Sequence, residues 1–454
     1  MKKSNLPIAI IGLGKTGLSI AKYLYRNNQK FIAYDTRKNL TFSNQIEKYI
    51  KAEEIILGEI TDNIVFQHDN FIISPGVDLD KKILKEIKNK NKNIQTDIDI
   101  FNDSGEKKVI CITGSNGKTT VTSIVEHILN MIGKKSKAGG NIGLPALELL
   151  YQNYEYYILE LSSFQLEMIK KIKCESSVIT NISPDHLDRH KTFDNYINIK
   201  HKIFENTKNI IINRSDNNIK KNKYNFKYTF GVDIPSDENS FGINSLNGIN
   251  YIYQGSEKIL SEDDTKLIGY HNLINICSAL AVIKSLGLNV KQSAESVKSF
   301  KILEHRMENF YNQNNIIWIN DSKATNVEST ISAVKSLKNN IILLMGGRSK
   351  TDNYTELNKV MFGKVKYLIL FGECKNLLSK KINSVENIII AEDLKDAVSQ
   401  AKYLSSNFSE KSKNNINIIL SPACSSYDSF ASYEERGNFF KKCVLNSNGT
   451  INDK

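Results

Sequence analysis

The sequence lacks a long hydrophobic run, although apolar residues make up 40% of its 454 positions. A membrane-spanning helix needs about 20 consecutive apolar residues, and no segment approaches that length. Near the N-terminus, Gly12, Gly14 and Lys15 interrupt the apolar stretch that begins at Leu6 before an export signal can develop. We therefore expect neither a membrane partner nor a secretion signal.

Cysteine is scarce as well, and its six occurrences show no short repeated spacing. This distribution fits neither a disulfide framework nor a zinc site, and it is typical of reduced thiols in a cytosolic protein. The sequence thus predicts a cytoplasmic location.

Positive charge is abundant but not concentrated, with a formal net charge of +12. The lysines are spread along the whole chain and do not form one patch interleaved with aromatic residues. We therefore expect no nucleic-acid partner, and we attribute part of the charge to sites for phosphorylated ligands. We also expect a monomer.

The chain is longer than one hydrophobic core usually supports, and short apolar runs alternate along it with helical patterns. This rhythm predicts an α/β protein of three domains: a Rossmann-like N-terminal domain (1–97), a central P-loop-type ATPase domain with a parallel sheet (98–302) and a Rossmann-like C-terminal domain (303–454). Residues 223–268 alternate in short stretches rich in Gly, Asn, Asp and Ser, which predicts a small antiparallel meander within the central domain.

A glycine-rich loop, TGSNGKTT, occupies residues 113–120 between an apolar strand and a helical pattern. Backbone N–H groups and the positive helix end can surround an anion there, with Lys118 as a point charge for β- and γ-phosphates. Thr119 is placed to bind the magnesium ion that bridges those phosphates. The first glycine of a full Walker A motif would fall at Ile112, so this is a shortened nucleotide cradle.

A second glycine pattern, GLGKTG, occupies residues 12–17 and is followed by Asp35 at the end of the next strand. The pattern satisfies the formal fingerprint of a dinucleotide site. An NAD-dependent oxidoreductase therefore stays open as an alternative at this point. A ligase could use the same loop to hold a diphosphate on a helix N-terminus.

Polar side chains follow two further predicted strands. Glu160 ends the apolar run 156–159 at the edge of the sheet beside the phosphate loop, which makes it a candidate magnesium ligand. Asp185 and His186 come after the next strand end, and their clustering indicates a functional role. Lys200 by its pattern alone reads as a solvated helix lysine.

Six motifs resemble those of the Mur ligase family and occur in the family's order. They are TGSNGKTT (113–120), GGNIG (139–143), LELSSFQ (159–165), DHLDR (185–189), GYHNLIN (269–275) and His305-Arg306. NDSKATN (320–326) and SPACSSYDSF (421–430) with ERG (435–437) are similar to strings of the member that adds D-glutamate to UDP-N-acetylmuramoyl-L-alanine. The resemblance spans nearly the whole chain.

The resemblance implies an enzyme of peptidoglycan precursor synthesis that uses ATP and two Mg²⁺ ions and forms a C–N bond through an acyl phosphate. It implies catalytic roles for Lys118, His186 and Lys200. The implied nucleotide contacts are Gly114, Ser115, Asn116, Gly117, Lys118, Thr119, Thr120, Asn272, Asn275, Arg306 and Asp321. The implied metal positions are Thr119, Glu160, His186 and Lys200, the last as a carbamate that replaces a cation with an anionic oxygen ligand.

The same resemblance implies the positions that meet UDP-N-acetylmuramoyl-L-alanine and D-glutamate. They are Lys15, Thr16, Thr36, Arg37, Gly76, Asn141, Ser162, Asp185, Lys323, Thr325, Lys350, Ser426, Tyr427 and Tyr433. Tyr433 stands where the family pattern has Phe, and Tyr427 where an apolar residue is common, so we expect a more polar glutamate pocket.

Three alternatives remain: a sister Mur ligase that adds another amino acid, a folylpolyglutamate-type ligase, and the NAD-dependent oxidoreductase. The first two would share the central domain, so the strings at 320–326 and 421–437 discriminate against them. The third would leave the phosphate loop and the acidic residues without a purpose.

Overall fold

The computed structural model of the chain describes residues 4–38, 48–77, 81–219, 224–267, 269–301, 303–338, 340–351, 353–409 and 415–446. Three sheets follow one another along the chain, and each is flanked by helices. The carboxyl ends of parallel strands collect loops at one edge of each sheet, which is where ligand sites form in such folds.

The first sheet has five parallel strands in the order β3-β2-β1-β4-β5. Its central strands β1 and β4 are buried at every position, as expected for a parallel sheet covered on both faces. The elements are β1 (Ile8–Ile11), α1 (Lys15–Arg26), β2 (Phe31–Asp35), β3 (Ile55–Leu57), α2 (Ile64–Gln67), β4 (Asn70–Ile73), α3 (Lys81–Asn89), β5 (Asn93–Gln95) and α4 (Asp97–Asp103).

The second sheet has nine strands in the order β14-β13-β12-β11-β10-β9-β6-β8-β7. Its strands are β6 (Lys108–Thr113), β7 (Ser136–Gly140), β8 (Tyr156–Glu160), β9 (Cys174–Ile179), β10 (Thr207–Asn213), β11 (Tyr228–Phe230), β12 (Ser240–Leu246), β13 (Ile249–Gln254) and β14 (Glu257–Ser261). Its helices are α5 (Lys118–Met131), α6 (Ser163–Met168), α7 (Leu187–His190), α8 (Phe193–His201), α9 (Tyr270–Ser285) and α10 (Val290–Val297).

The antiparallel meander is shorter than the sequence predicted. Strand β11 pairs in parallel with both β10 and β12, and only β12, β13 and β14 run antiparallel. Phe230 in β11 is fully buried, so this strand continues the core of the parallel sheet. The meander therefore comprises residues 240–261.

The third sheet has six strands in the order β15-β16-β20-β17-β18-β19, parallel except for the edge pair β15–β16. The elements are β15 (Glu308–Gln313), β16 (Ile316–Asn320), α11 (Val327–Ser336), β17 (Ile341–Gly346), α12 (Thr355–Met361), β18 (Val365–Phe371), α13 (Lys375–Lys381), β19 (Asn387–Ile390), α14 (Leu394–Ser409), β20 (Ile416–Leu420) and α15 (Tyr433–Asn446). None of the helices in the described ranges is both long and apolar enough to cross a membrane.

The first and second sheets share one continuous apolar cluster, which includes Ile8 and Leu24 of the first domain and Leu147 and Phe204 of the second. Polar contacts add to this packing: Lys22 forms an ion pair of 3.1 Å with Glu148. The two domains therefore pack directly against each other.

Candidate active site

The phosphate loop connects β6 to α5, and two of its glycines have positive φ angles that only glycine adopts without strain. Gly114 has φ +152°, and a Cβ there would lie 1.9 Å from Oγ1 of Thr180. Gly117 has φ +80°, and a Cβ would lie 2.4 Å from Oδ1 of Asn275. Lys118 then begins α5, so the helix N-terminus opens onto the loop. The loop has the tight turn that an anion cradle requires.

Lys118 folds back over this loop. Its Nζ donates to the carbonyl oxygens of Gly114 at 2.7 Å and of Ser115 at 2.9 Å. Burial lowers the pKa of the ammonium group, because a charge is poorly solvated there. The Ser115 hydroxyl donates to the Ser183 carbonyl at 2.9 Å and lies 3.0 Å from the hydroxyl of Tyr196. The loop is thus tied to the polypeptide that follows β9.

Glu160 ends β8 and is only 2% exposed. Its Oε1 accepts a hydrogen bond from Nδ2 of Asn141 at 3.0 Å, whereas no described residue offers Oε2 a hydrogen bond. A buried carboxylate oxygen without a partner is costly unless a cation or another donor meets it. Thr119 lines the same cavity. An orphaned carboxylate oxygen in a cavity that a threonine also lines fits a hard divalent cation such as Mg²⁺.

Lys200 is buried in the structure, although its helical pattern alone indicated a solvated side chain. Its Nζ donates to the Gly114 carbonyl at 2.9 Å and lies 4.7 Å from the ring centroid of Tyr196. Burial, followed by the charge of Lys118, lowers the pKa of Lys200 well below its usual value. The neutral amine is therefore strongly favoured relative to a lysine in water.

Asp185 and His186 lie opposite the loop. Asp185 Oδ1 accepts from the His186 backbone N–H at 2.9 Å and lies 3.7 Å from Nζ of Lys350 in the third domain. Burial opposes ionisation of Asp185, but the charges of Lys350 and His186 hold its pKa below the usual range. The His186 ring packs edge-on against Phe164, with 4.8 Å between centroids.

A cavity of about 220 Å³ brings most of the predicted residues together. It is lined by Ser115, Asn116, Gly117, Lys118, Thr119, Asn141, Glu160, Ser162, Asp185, His186, Lys200, Arg306, Lys323, Thr325 and Lys350. Because these residues come from the second and third domains, the cavity depends on how the two domains pack. We call it the central cavity. Within the described ranges, no three His, Cys, Asp or Glu side chains gather as a metal cluster, so a cation here would also use hydroxyl or ligand oxygens.

A second cavity of about 350 Å³ lies on the other side of the loop, and we call it the nucleotide cavity. The predicted residues that line it are Asn116, Gly117, Thr120, Asn272, Asn275, Arg306, Asp321 and Lys323. Burial raises the pKa of Asp321 to about 7, and its Oδ2 accepts a hydrogen bond from the Ser421 hydroxyl at 2.8 Å. Apolar residues Phe230, Leu267 and Leu303 complete a wall suited to a flat ring.

A third cavity of about 330 Å³ joins the first domain to the other two. The predicted residues that line it are Lys15, Thr16, Gly76, Thr119, Asn141, Glu160, Ser162, Lys323 and Tyr433. Nζ of Lys323 lies 3.6 Å from the ring centroid of Tyr433. Burial, with the nearby charge of Arg306, lowers the pKa of Lys323 to about 7. Lys323 lines all three cavities and marks their junction.

Thr36 and Arg37 follow β2 at the exposed edge of the first domain and do not line these cavities. The Arg37 guanidinium donates two hydrogen bonds of 2.8 Å to Asp35, which holds the pKa of that carboxyl near 2. Asp35 also accepts from the Leu13 backbone N–H at 2.7 Å. Here Asp35 ties the first glycine loop to the end of β2.

Ser426 and Tyr427 also lie outside the linings of the three cavities. Ser426 is 2% exposed, whereas Tyr427 is 68% exposed. Their proposed contact with D-glutamate stays a prediction.

The structure adds residues that sequence reasoning did not single out. His271 lines the nucleotide cavity, and burial lowers its pKa to about 4. Its place inside the GYHNLIN motif was an available signal. Asn326, Tyr196 and Ser329 also line the central cavity. Asn326 ends the NDSKATN string, whereas Tyr196 and Ser329 carry no sequence signal of their own, because only tertiary packing brings them to the loop.

Comparison with protein families places three models along the chain in order. They are the Mur ligase MurD-like N-terminal domain at residues 7–96, the Mur ligase middle domain at 112–283 and the Mur ligase glutamate ligase domain at 305–407. A UDP-N-acetylmuramoylalanine–D-glutamate ligase of Legionella pneumophila (strain Paris) is 33% identical over 451 residues, covering 96% of this chain and 98% of the relative. The chain belongs to the Mur ligase family.

A second relative agrees with this membership, and one solved structure shares the fold. A UDP-N-acetylmuramoylalanine–D-glutamate ligase of Haemophilus influenzae (strain ATCC 51907 / DSM 11121 / KW20 / Rd) is 34% identical over 440 residues, covering 96% of this chain and 97% of the relative. The crystal structure of UDP-N-acetylmuramate-alanine ligase from Thermotoga maritima shares the fold, with a TM-score of 0.61, 18% identity, and coverage of 98% of this chain and all of that one. The predicted family and three-domain α/β fold are confirmed, and the oxidoreductase alternative is disfavoured.

Proposed function

We propose that this Mur ligase adds D-glutamate to UDP-N-acetylmuramoyl-L-alanine at the expense of ATP, the reaction that the names of the Legionella and Haemophilus relatives imply. The observation that carries the proposal is the convergence of three cavities at Lys323, with the phosphate loop between two of them. A three-substrate ligation needs three binding spaces that share one reaction centre.

In the proposed reaction, the γ-phosphoryl group of ATP passes to the terminal carboxylate of UDP-N-acetylmuramoyl-L-alanine, giving ADP and an acyl phosphate. The amine of D-glutamate then attacks the acyl carbon, the new C–N bond forms, and phosphate leaves while the amine loses a proton. Phosphoryl transfer of this kind depends mainly on positioning and charge neutralisation. Lys118, the loop N–H groups and the N-terminus of α5 supply both.

Thr119 and Glu160 are the residues that would hold a first Mg²⁺, and the unpartnered Oε2 of Glu160 supports this role. His186 and Lys200 would serve a second ion. A bound magnesium ion neutralises phosphate charge and orients the phosphate oxygens. Carbamylation of Lys200 requires a neutral amine to attack CO₂, and the lowered pKa of this buried side chain favours that form.

The nucleotide cavity would take the adenine and ribose through Asn272, Asn275, Arg306 and Asp321. In the first domain, the positions proposed for the UDP-linked substrate are Lys15, Thr16, Thr36, Arg37 and Gly76, with Asn141 in the second. The D-glutamate carboxylates would meet Lys350, Thr325, Ser426 and Tyr433. Lys350 lines the central cavity and lies near Asp185, so its ammonium group could bind a carboxylate of D-glutamate close to the reaction centre.

Release of phosphate tests the proposed function. The purified chain is mixed with ATP, Mg²⁺ and UDP-N-acetylmuramoyl-L-alanine, together with each of a panel of D- and L-amino acids. Among these amino acids, we expect only D-glutamate to cause phosphate release. We expect Lys118→Ala to fold but to release no phosphate. Release with another amino acid would favour a sister ligase, and near-normal turnover by Lys118→Ala would contradict the role of the loop.

A further inference from the structure

Asn116 lies at the middle of the phosphate loop, and the second domain fixes its backbone completely. Its N–H donates to Oδ1 of Asn181 at 2.9 Å. Its carbonyl oxygen accepts from Nδ2 of Asn181 at 3.0 Å and from the Thr180 hydroxyl at 2.6 Å. These contacts leave the side-chain amide of Asn116 free to face another part of the molecule.

That side chain meets the third domain. Oδ1 of Asn116 accepts from Nδ2 of Asn326 at 3.2 Å and from the hydroxyl of Ser329 at 2.8 Å. Asn326 caps the N-terminus of α11, and Ser329 lies in its first turn. We call Asn116, Asn326 and Ser329 the closure latch, because they link two domains across more than 200 residues of sequence.

The orientation of each amide follows from the helix cap. Oδ1 of Asn326 accepts from the Ser329 backbone N–H at 2.9 Å, so its Nδ2 must point away from the helix. A donor therefore faces Asn116, and the Ser329 hydroxyl approaches from the same side. Asn116 satisfies both donors only when it presents its oxygen.

The segment just before the latch carries three residues of the proposed site. Asp321 lines the nucleotide cavity, Thr325 lines the central cavity, and Lys323 lines both. Since Asn326 follows Thr325 directly, fixing Asn326 on the loop also fixes where these side chains stand relative to the phosphates. Asn326 and Ser329 are not among the expected ligand contacts of the third domain, but they hold residues that are.

We propose that Asn326 and Ser329 are positioning residues, which hold the third domain on the phosphate loop in the arrangement that transfers phosphate. The expected effect of the latch on turnover rests on the proposed function. A neutral hydrogen bond contributes enough that each lost contact should lower the ratio of closed to open molecules by about 2- to 10-fold. Nucleotide binding should weaken by no more than the same factor, because the loop, Asn272 and Asn275 stay within the second domain and only Arg306, Asp321 and Lys323 move with the third.

Asn326→Ser and Ser329→Ala test the latch. Serine at position 326 keeps an oxygen that can cap α11 but removes the side-chain N–H group that reaches Asn116. Ser336→Ala is the matched control, because this hydroxyl on the same helix donates at 2.7 Å to the Ala333 carbonyl within the helix. Thermal midpoints and far-ultraviolet circular dichroism establish that all variants fold.

Small-angle X-ray scattering with Mg²⁺ and the ATP analogue AMPPNP measures closure without any amino acid or turnover. We expect the wild type and Ser336→Ala to show the same radius of gyration, and both latch variants to be more expanded. The Kd for AMPPNP should rise by no more than the same factor, and kcat should fall by about 2- to 10-fold per lost hydrogen bond. Unchanged scattering and kcat in both latch variants would overturn the proposal.

A double-mutant cycle separates a direct contact from general damage. Asn116→Ala and Ser329→Ala remove two ends of one bond, so the double variant should lose much less kcat than the product of the single losses. Multiplicative losses would show that the residues act independently, and would overturn the latch. A wild type that binds AMPPNP and closes through the latch, yet transfers no D-glutamate, would contradict the proposed function and leave the latch supported.

Discussion

Asp97 provides a stability test that depends on burial and on no assumption about the reaction. It is the first residue of α4, in the segment that joins the first two sheets. The side chain is 1% exposed, and Oδ1 has no hydrogen-bond partner among the described residues. Burial, with a smaller contribution from the charge of Asp99, raises the pKa of Asp97 to about 7.

The free-energy consequence follows from the difference between that pKa and the ordinary aspartate value of about 3.9. Below about pH 3 the carboxyl is protonated in both the folded and unfolded states, so no penalty exists. As pH rises, the unfolded state ionises first, and the penalty on folding grows until the folded carboxyl ionises near pH 7. The full penalty is about 4 kcal/mol, of which about 3 kcal/mol accrues between pH 5 and pH 8.

Asp97→Asn removes this titration, since an amide of the same shape stays neutral. Any cost of burying the amide is constant with pH. The informative quantity is therefore how the Tm of the variant minus the Tm of the wild type changes with pH. We expect differential scanning calorimetry to show that this Tm difference increases by about 3 °C between pH 5 and pH 8, in favour of the variant. The figure takes ~2 cal/mol/K of unfolding entropy per residue. A Tm difference that does not vary with pH would refute the reasoning.

Three further substitutions address the site. Gly117→Ala should raise the KM for ATP more than tenfold, because the added Cβ would strike Asn275. Gly133→Ala is the control: Gly133 also has a positive φ but has open space around it, so the substitution should cost only about 1 kcal/mol of stability. Steady-state kinetics and urea unfolding compare the two variants, and equal KM values would contradict the clash. Lys200→Ala should lose activity and regain part of it with acetate, and an absence of rescue would count against the carbamate. Glu160→Gln should raise the Mg²⁺ concentration needed for half-maximal rate by at least about tenfold, since one charged ligand is lost; an unchanged Mg²⁺ titration would remove Glu160 from the metal site.

Local sequence patterns were sufficient for much of the fold. The buried apolar runs of β1, β6 and β17 indicated parallel strands, because such strands are covered on both faces and need no polar alternation. The order of strand, glycine loop, lysine and helix around Lys118 indicated an anion cradle for the same local reason. These features depend on residues that are neighbours in sequence, so a single sequence is enough to predict them.

Other elements depend on distant partners. Strand β7 consists of Ser136–Gly140, with two glycines and no branched residue, and it was not predicted; it exists because its backbone pairs with β8. The antiparallel edge strand β15 is mostly polar and depends in the same way on β16. Backbone pairing thus overrides weak strand propensity when a well-formed neighbour is available.

By itself, the sequence determined the family, the three-domain order and the chemistry available at the phosphate loop. Only the tertiary structure decided that Lys200 is buried against the Gly114 carbonyl, 86 residues away. It also decided that Asn326 and Ser329 reach Asn116 from another domain. The physical reason is that burial, pKa and hydrogen-bond partners are set by which side chains packing brings together, and residue type and spacing do not encode that locally.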